Sequence, residues 1–153
     1  MHLIRPWLYI AAVRETSNRT TMYTYNIGAI LQLASPALHP GIENLYVPVE
    51  DGIPFPHDKL RTAITFAREQ KAAGHKIAIG CGAGISRSVT VAVAVLHEEE
   101  NISLLDAFEQ IVAIHPDAMP HLELIRSLGS YYADEDAARA LLKRIWLVDS
   151  NRD

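Results

Sequence analysis

The residues best suited to chemistry in this chain are its single cysteine, Cys81, and Arg87 six positions later, with Gly82, Ala83, Gly84, Ile85 and Ser86 between them. A thiol attacks as its thiolate, so a cysteine nucleophile at neutral pH needs positive charge or oriented dipoles beside it. The octet Cys81 to Ser88 offers both. A short apolar strand, Lys76 to Gly80, approaches it, and the apolar run Val89 to Leu96 leaves it as a buried helix or strand. With a helix beginning near Ser86, the first N–H groups lack intrahelical acceptors and point, with the positive end of the dipole, into the loop. Gly82 and Gly84 permit positive φ and close backbone approach, so successive N–H groups can converge on three phosphoryl oxygens. Arg87 adds a planar, two-toothed grip on the same oxygens. Ser88 can aim its hydroxyl back at the sulfur and stabilise it when it leaves. These types at this spacing predict a phosphate cradle with a nucleophile at its centre.

Written out, Cys-x-Ala-Gly-Ile-Ser-Arg-Ser resembles the signature of the cysteine-dependent protein phosphatases. It is most similar to the dual-specificity branch, especially the mitogen-activated-kinase phosphatases. The resemblance covers roughly residues 3–130. Trp7 to Ile10 is similar to the opening strand of that core, Ile27 to Leu33 to its second strand, and Leu45 to Val49 to the strand leading into its acid loop. It implies a general acid at Asp51, thirty positions before Cys81 in Val49-Glu50-Asp51-Gly52. A poor leaving oxygen needs a proton, and a positioned carboxyl supplies about 10²–10⁴ in rate. Glu50 and Asp58 compete for the role. Glu50 also serves as a like-charged neighbour of Asp51, while Asp58 suits the start of a helix from about Pro56 to Ala73 that stops at Gly74.

The chain departs from the family in two places. Gly80 stands where the family has a histidine that orders the cradle, which predicts a less well activated nucleophile. Replacing it by histidine should raise activity in mild acid, or should damage the fold if the backbone there forbids a β-carbon. His121 stands in Ile114-His115-Pro116 to Pro120-His121 where the family has a loop-bracing asparagine. It either supports the loop through a ring nitrogen or caps the following helix.

The remaining elements read as the frame that positions these groups. Leu104, Leu105, Phe108, Ile111 and Val112 recur at helical spacing after Asn101 or Ser103 as caps. Leu122 to Leu128 forms another helix. A last helix over about 134–147 opens with Asp134, Glu135 and Asp136 and turns Leu141, Leu142, Ile145 and Trp146 toward the core. The sequence and the resemblance together predict an α/β fold: a mixed, mostly parallel sheet of four to five strands flanked by helices, with the phosphate loop between strand and helix. At 153 residues, 49% of them hydrophobic, the chain is expected to be one domain, residues 1–153.

Composition limits the alternatives. One cysteine excludes an internal disulfide and a multi-thiolate metal site, and fits a reducing, cytoplasmic setting. The seven histidines are scattered, so no metal and no cofactor are expected. A net charge of −4 without a basic stripe argues against nucleic acid. No membrane segment or lipidation motif is visible, and a monomer is the default. The resemblance implies a metal-independent phosphomonoesterase acting on phosphotyrosine and on phosphoserine or phosphothreonine in proteins or peptides. Cys81 would attack, Arg87 and the loop amides stabilise, and Asp51 protonate. The alternatives are a phospho-binding module with vestigial catalysis and a phosphatase of a non-protein monoester such as a phosphoinositide.

Overall fold

The computed structural model describes residues 1–150, with side chains through Leu147. Its strands are β1 (His2–Arg5), β2 (Leu8–Ala12), β3 (Ile27–Gln32), β4 (Glu43–Tyr46) and β5 (Lys76–Cys81). They form one sheet in the order β1-β2-β5-β3-β4, parallel except for the antiparallel β1–β2 pair. Both faces are covered, which is why β2 and β5 read as unbroken apolar runs and not as alternating ones. The expected mixed α/β sheet is therefore present, with β1 as a strand the sequence did not announce.

Two short helices, α1 (Val13–Thr16) and α2 (Arg19–Thr24), link β2 to β3 across one face. There Tyr9, Met22, Ile27, Ile30 and Ala78 form a small apolar cluster. Asn18 caps α2 by accepting from Thr21 N at 3.0 Å. The other helices are α3 (His57–Ala72), α4 (Arg87–Glu100), α5 (Leu104–Ile114), α6 (Leu122–Tyr131) and α7 (Glu135–Ser150). They build the main core, which holds Ile77 and Ile79 of β5 together with Leu60, Phe108, Leu124 and Leu128. Each such side chain fully removed from water contributes on the order of 1.5–3 kcal/mol.

The run left open as helix or strand is α4. Its residues Ser88 to Leu96 are all buried, because α3, α5 and α6 pack around it while it crosses β2 and β5. Complete enclosure hides the periodicity that would have marked it as a helix. It ends at Asn101, whose φ of 53° is left-handed. Ser103 caps α5 by accepting from Asp106 N at 3.0 Å, whereas Asp58 lies in the first turn of α3 without capping it. On α7 Leu141 is buried as expected, but Trp146 is 70% exposed and not part of the core. No helix among the described residues is long and apolar enough to cross a membrane.

β5 is central, and Cys81 ends it at the carboxyl edge of the parallel strands. The register sets Ala12 of β2 beside Cys81 and Gln32 of β3 beside Gly80. Open α/β sheets bind ligands at this edge.

Candidate active site

The chain leaves β5 at Cys81, turns through residues 82–86 and enters α4 at Arg87, with Ser86 at the N-cap position. Gly84 makes the turn possible. Its φ is +75°, and a Cβ there would stand 2.9 Å from the carbonyl of Ala11. Gly82 does not adopt positive φ; it serves by closeness, since a Cβ on it would lie 3.1 Å from Arg87 Nη2.

The carbonyls of the loop are tied outward by the scaffold. Gly82 O accepts from Val13 N at 3.2 Å and Ile85 O from Met119 N at 2.8 Å. Gly84 O accepts from His115 Nε2 at 2.8 Å. In a trans peptide the N–H of the next residue points opposite to the carbonyl. Three outward carbonyls therefore turn the N–H groups of Ala83, Ile85 and Ser86 the other way, toward the inside of the loop. That is the nest which an oxyanion needs, and outside donors hold it in place.

Cys81 is buried, and its Sγ lies 3.1 Å from Ser88 Oγ, itself fully buried. Ser88 thus takes the predicted position. Arg87 donates from Nη1 to Val49 O at 2.8 Å, while its buried Nε has no partner among the described residues. One edge of the guanidinium is fixed and another donor stays available to an anion.

Asp51 is brought to the loop from thirty residues away. Its Oδ1 accepts from Ser86 Oγ at 2.7 Å, and the same Ser86 Oγ accepts from His121 N at 2.9 Å. The chain of bonds His121 N–H to Ser86 to Asp51 fixes the carboxylate against the loop. Oδ2 makes no hydrogen bond among the described residues. No such bond joins Glu50 or Asp58 to the loop among the described residues.

Of the two roles expected of the His121 ring, the structure shows the cap. Its ring Nδ1 caps α6 by accepting from Glu123 N at 3.1 Å, and its backbone supports the loop through Ser86. The ring nitrogen that braces the loop belongs instead to His115, which is 3% exposed and stacks on His2 with centroids 3.7 Å apart. A carbonyl can only accept, so His115 carries its proton on Nε2. Sequence reasoning missed this residue. Nothing local marks a histidine that reaches a carbonyl 31 residues earlier.

Beside the loop runs a groove of about 870 Å³, bordered by Asp51, Ile85 and Ser86 on one side and by Leu122, Leu142 and Trp146 on the other. Trp146 and Leu147 of α7, both exposed, line it as well. The arrangement can hold a tetrahedral dianion over a sulfur, with a carboxyl beside it and an apolar floor next to both.

The chain is similar to known proteins along most of its described length. The family model for the dual specificity phosphatase catalytic domain matches residues 8–134. Dual specificity protein phosphatase 1 of Arabidopsis thaliana is 30% identical over 131 residues, which are 82% of this chain and 66% of that protein. Dual specificity protein phosphatase 16 of Homo sapiens is 28% identical over 137 residues, 84% of this chain and 20% of that protein. This chain thus spans only part of these relatives. Among solved structures, human DUSP28 superposes with a TM-score of 0.79 at 21% identity, covering 89% of this chain and 96% of its own. DUSP15 does so with a TM-score of 0.77 at 25% identity, covering 92% and 94%.

Proposed function

Because this chain belongs to the dual specificity phosphatase catalytic-domain family, we propose that it hydrolyses phosphotyrosine and phosphoserine or phosphothreonine in proteins through a phosphocysteine. Residues 1–153 act as one catalytic unit in this reading. The observation that carries it is the Ser86–Asp51 hydrogen bond, which sets a carboxyl from a distant loop against the cradle that holds the sulfur.

The Cys81 thiolate attacks phosphorus in line, so that an S–P bond forms as the P–O bond to the substrate breaks. Arg87 and the inward N–H groups stabilise the equatorial oxygens, where charge develops. Asp51 gives its proton to the leaving oxygen. Ser88 donates toward Sγ and favours the sulfur as a leaving group in the second half. Water then attacks phosphorus, Asp51 as carboxylate takes its proton, and the S–P bond breaks to free phosphate. The groove beside Asp51 receives the residues that flank the phosphorylated one. A binding module would use Arg87 and the amides, but it has no need of a hydroxyl against the sulfur or of a carboxyl against the loop.

The test is turnover of an aryl phosphate and of phosphotyrosine and phosphoserine peptides, with and without chelator. We expect turnover of all three, unaffected by chelation, and loss by about 10⁴-fold or more in Cys81→Ser. Asp51→Asn should slow the phosphoserine peptide by about 10²–10⁴ and a phenyl phosphate with an acidic phenol far less. Equal losses across the leaving groups would remove Asp51 as the acid.

A further inference from the structure

The residues on either side of Cys81 are held by two different elements. Gly80 O accepts from Leu33 N at 2.9 Å, just past the end of β3, and Gly82 O accepts from Val13 N at 3.2 Å, at the start of α1. Each of these elements also sends one polar side chain into the space beneath Gly80. Gln32 comes from β3 and Thr16 from α1, and Thr16 Oγ1 donates to Gln32 Oε1 at 3.1 Å. A Cβ at position 80 would stand 2.8 Å from Thr16 Cγ2 and 2.9 Å from Gln32 Oε1. The place of a side chain on Gly80 is already filled by this pair.

The pair is expensive to bury. Thr16 is 0% and Gln32 1% exposed, and Gln32 Nε2 has no hydrogen-bond partner among the described residues. Beyond them His39, 8% exposed, donates from Nε2 to Thr16 O at 2.7 Å. The neighbouring cluster of Tyr9, Met22, Ile27, Ile30 and Ala78 is apolar, so leucine and valine would suit the site without the desolvation cost of an amide and a hydroxyl. The hydrogen bond from Thr16 to Gln32 is directional, so it selects one spacing of its two elements where apolar packing tolerates several. Here the selected arrangement is the distance between α1 and β3, the two elements that hold the peptide groups flanking Cys81.

We propose that Thr16 and Gln32 form a positioning clamp that locks α1 to β3 beneath Gly80 and so fixes the backbone around Cys81. The clamp acts through the Val13 N–H to Gly82 O bond, which sets the peptide whose other end is the inward Ala83 N–H. Neither residue touches the reacting atoms. The clamp takes the place of a side chain at position 80 and makes glycine obligatory there. The inference rests on Cys81 being the nucleophile.

Its test reads the thiol directly and needs no turnover. Thr16→Val and Gln32→Leu remove the polar contact at nearly constant shape, while Thr16→Ser keeps the hydroxyl and loses the methyl. The rate of Cys81 alkylation by iodoacetate is followed from pH 5 to pH 9, together with kcat and thermal stability. Asp51 on the acid loop, Arg87 on α4, His115 after α5 with His2 of β1 stacked on it, His121 before α6, Glu15 of α1, which accepts from Ala12 N, and His39 between β3 and β4 are ionisable groups around the loop and its supports. All of them remain in every variant. We expect alkylation at pH 6 and kcat to fall by about tenfold in Thr16→Val and in Gln32→Leu, with melting temperatures unchanged or raised. Thr16→Ser should alkylate like wild type, and the double variant should lose no more than either single one. Alkylation profiles that match wild type in Thr16→Val and Gln32→Leu, or a Thr16→Ser loss as large as that of Thr16→Val, would overturn the clamp. A variant too unstable to assay leaves the comparison of the other two to decide. Slow alkylation in the clamp variants of a protein that turns over no phosphate ester would leave the clamp standing and remove the phosphatase reading. The reverse pattern would do the opposite.

Discussion

The two faces of the sheet are built from different materials. Toward α3 to α7 lies a continuous apolar core that includes Ile77, Ile79, Phe108, Leu124 and Leu141. Toward α1 and α2 lies a cluster of five buried residues, closed at the carboxyl edge by Thr16, Gln32 and His39. Alternation along β5 assigns Cys81 to the broad face with Ile77 and Ile79, and Gly80 to the narrow one with Ala78. The sulfur thus points into the face that supplies stability, while its backbone is braced from the face that supplies polar contacts. The difference teaches that burial energy and loop geometry are handled by separate sets of residues, which substitution can separate.

The largest effect expected of a scaffold substitution lies on the broad face. Phe108→Ala removes a fully buried ring and should cost about 3–5 kcal/mol of unfolding free energy. The kcat per folded molecule should stay close to wild type, as measured by denaturant titration beside active-site titration. A loss of kcat in proportion to stability would erase the division between the faces.

A smaller effect sharpens the comparison from the other side. Gly80→Ala drives a methyl against Thr16 and Gln32, an overpacking worth about 1–3 kcal/mol. It should also slow turnover, because the displaced residues are those that brace the loop. The sequence left two outcomes open for Gly80→His, and the contacts select damage. The cause is packing and not the backbone, since Gly80 is not among the residues with positive φ. An active, stable Gly80→His would show that the two side chains move aside freely.

The smallest effect belongs to the surface. Arg5 donates from Nε to Glu100 at 2.8 Å across the β1 edge. The hydrogen bond from Arg5 holds the Glu100 carboxyl below the ordinary carboxylate range. A lowered folded-state value means that this contribution is present above the unfolded pKa and is lost as pH falls through the folded one. Glu100→Gln should therefore cost about 0.2–1 kcal/mol at neutral pH and nothing in strong acid, with turnover unchanged. Melting temperatures across pH check the sign.

What the sequence made legible was local. Cys81 to Ser88 are consecutive, so strand, loop, helix start and the Ser88 contact could be read from one segment. Asp51 was reached only through family resemblance, because its link to Ser86 spans 35 residues. The strand expected over Leu45 to Val49 ends at Tyr46, although Val47 and Val49 still donate to the Gln32 and Leu33 carbonyls. Pro48 has no N–H to continue a ladder. α1 and α2 are too short to show a period. The filling of the space at Gly80 by Thr16 and Gln32 is a contact among three separate elements. Spacing alone reveals nothing of it.

The central claim is a phosphoryl group carried on Cys81, and rapid quenching tests it most directly. Asp51→Asn is mixed with an aryl phosphate that has an acidic leaving group, quenched within the first turnover, and mapped by mass spectrometry. The account predicts one phosphoryl group on the peptide containing Cys81, formed in step with phenol release and absent from Cys81→Ser. Phenol released in a burst with no phosphoryl group on Cys81, or with that group on Ser86 or Ser88 instead, would contradict it.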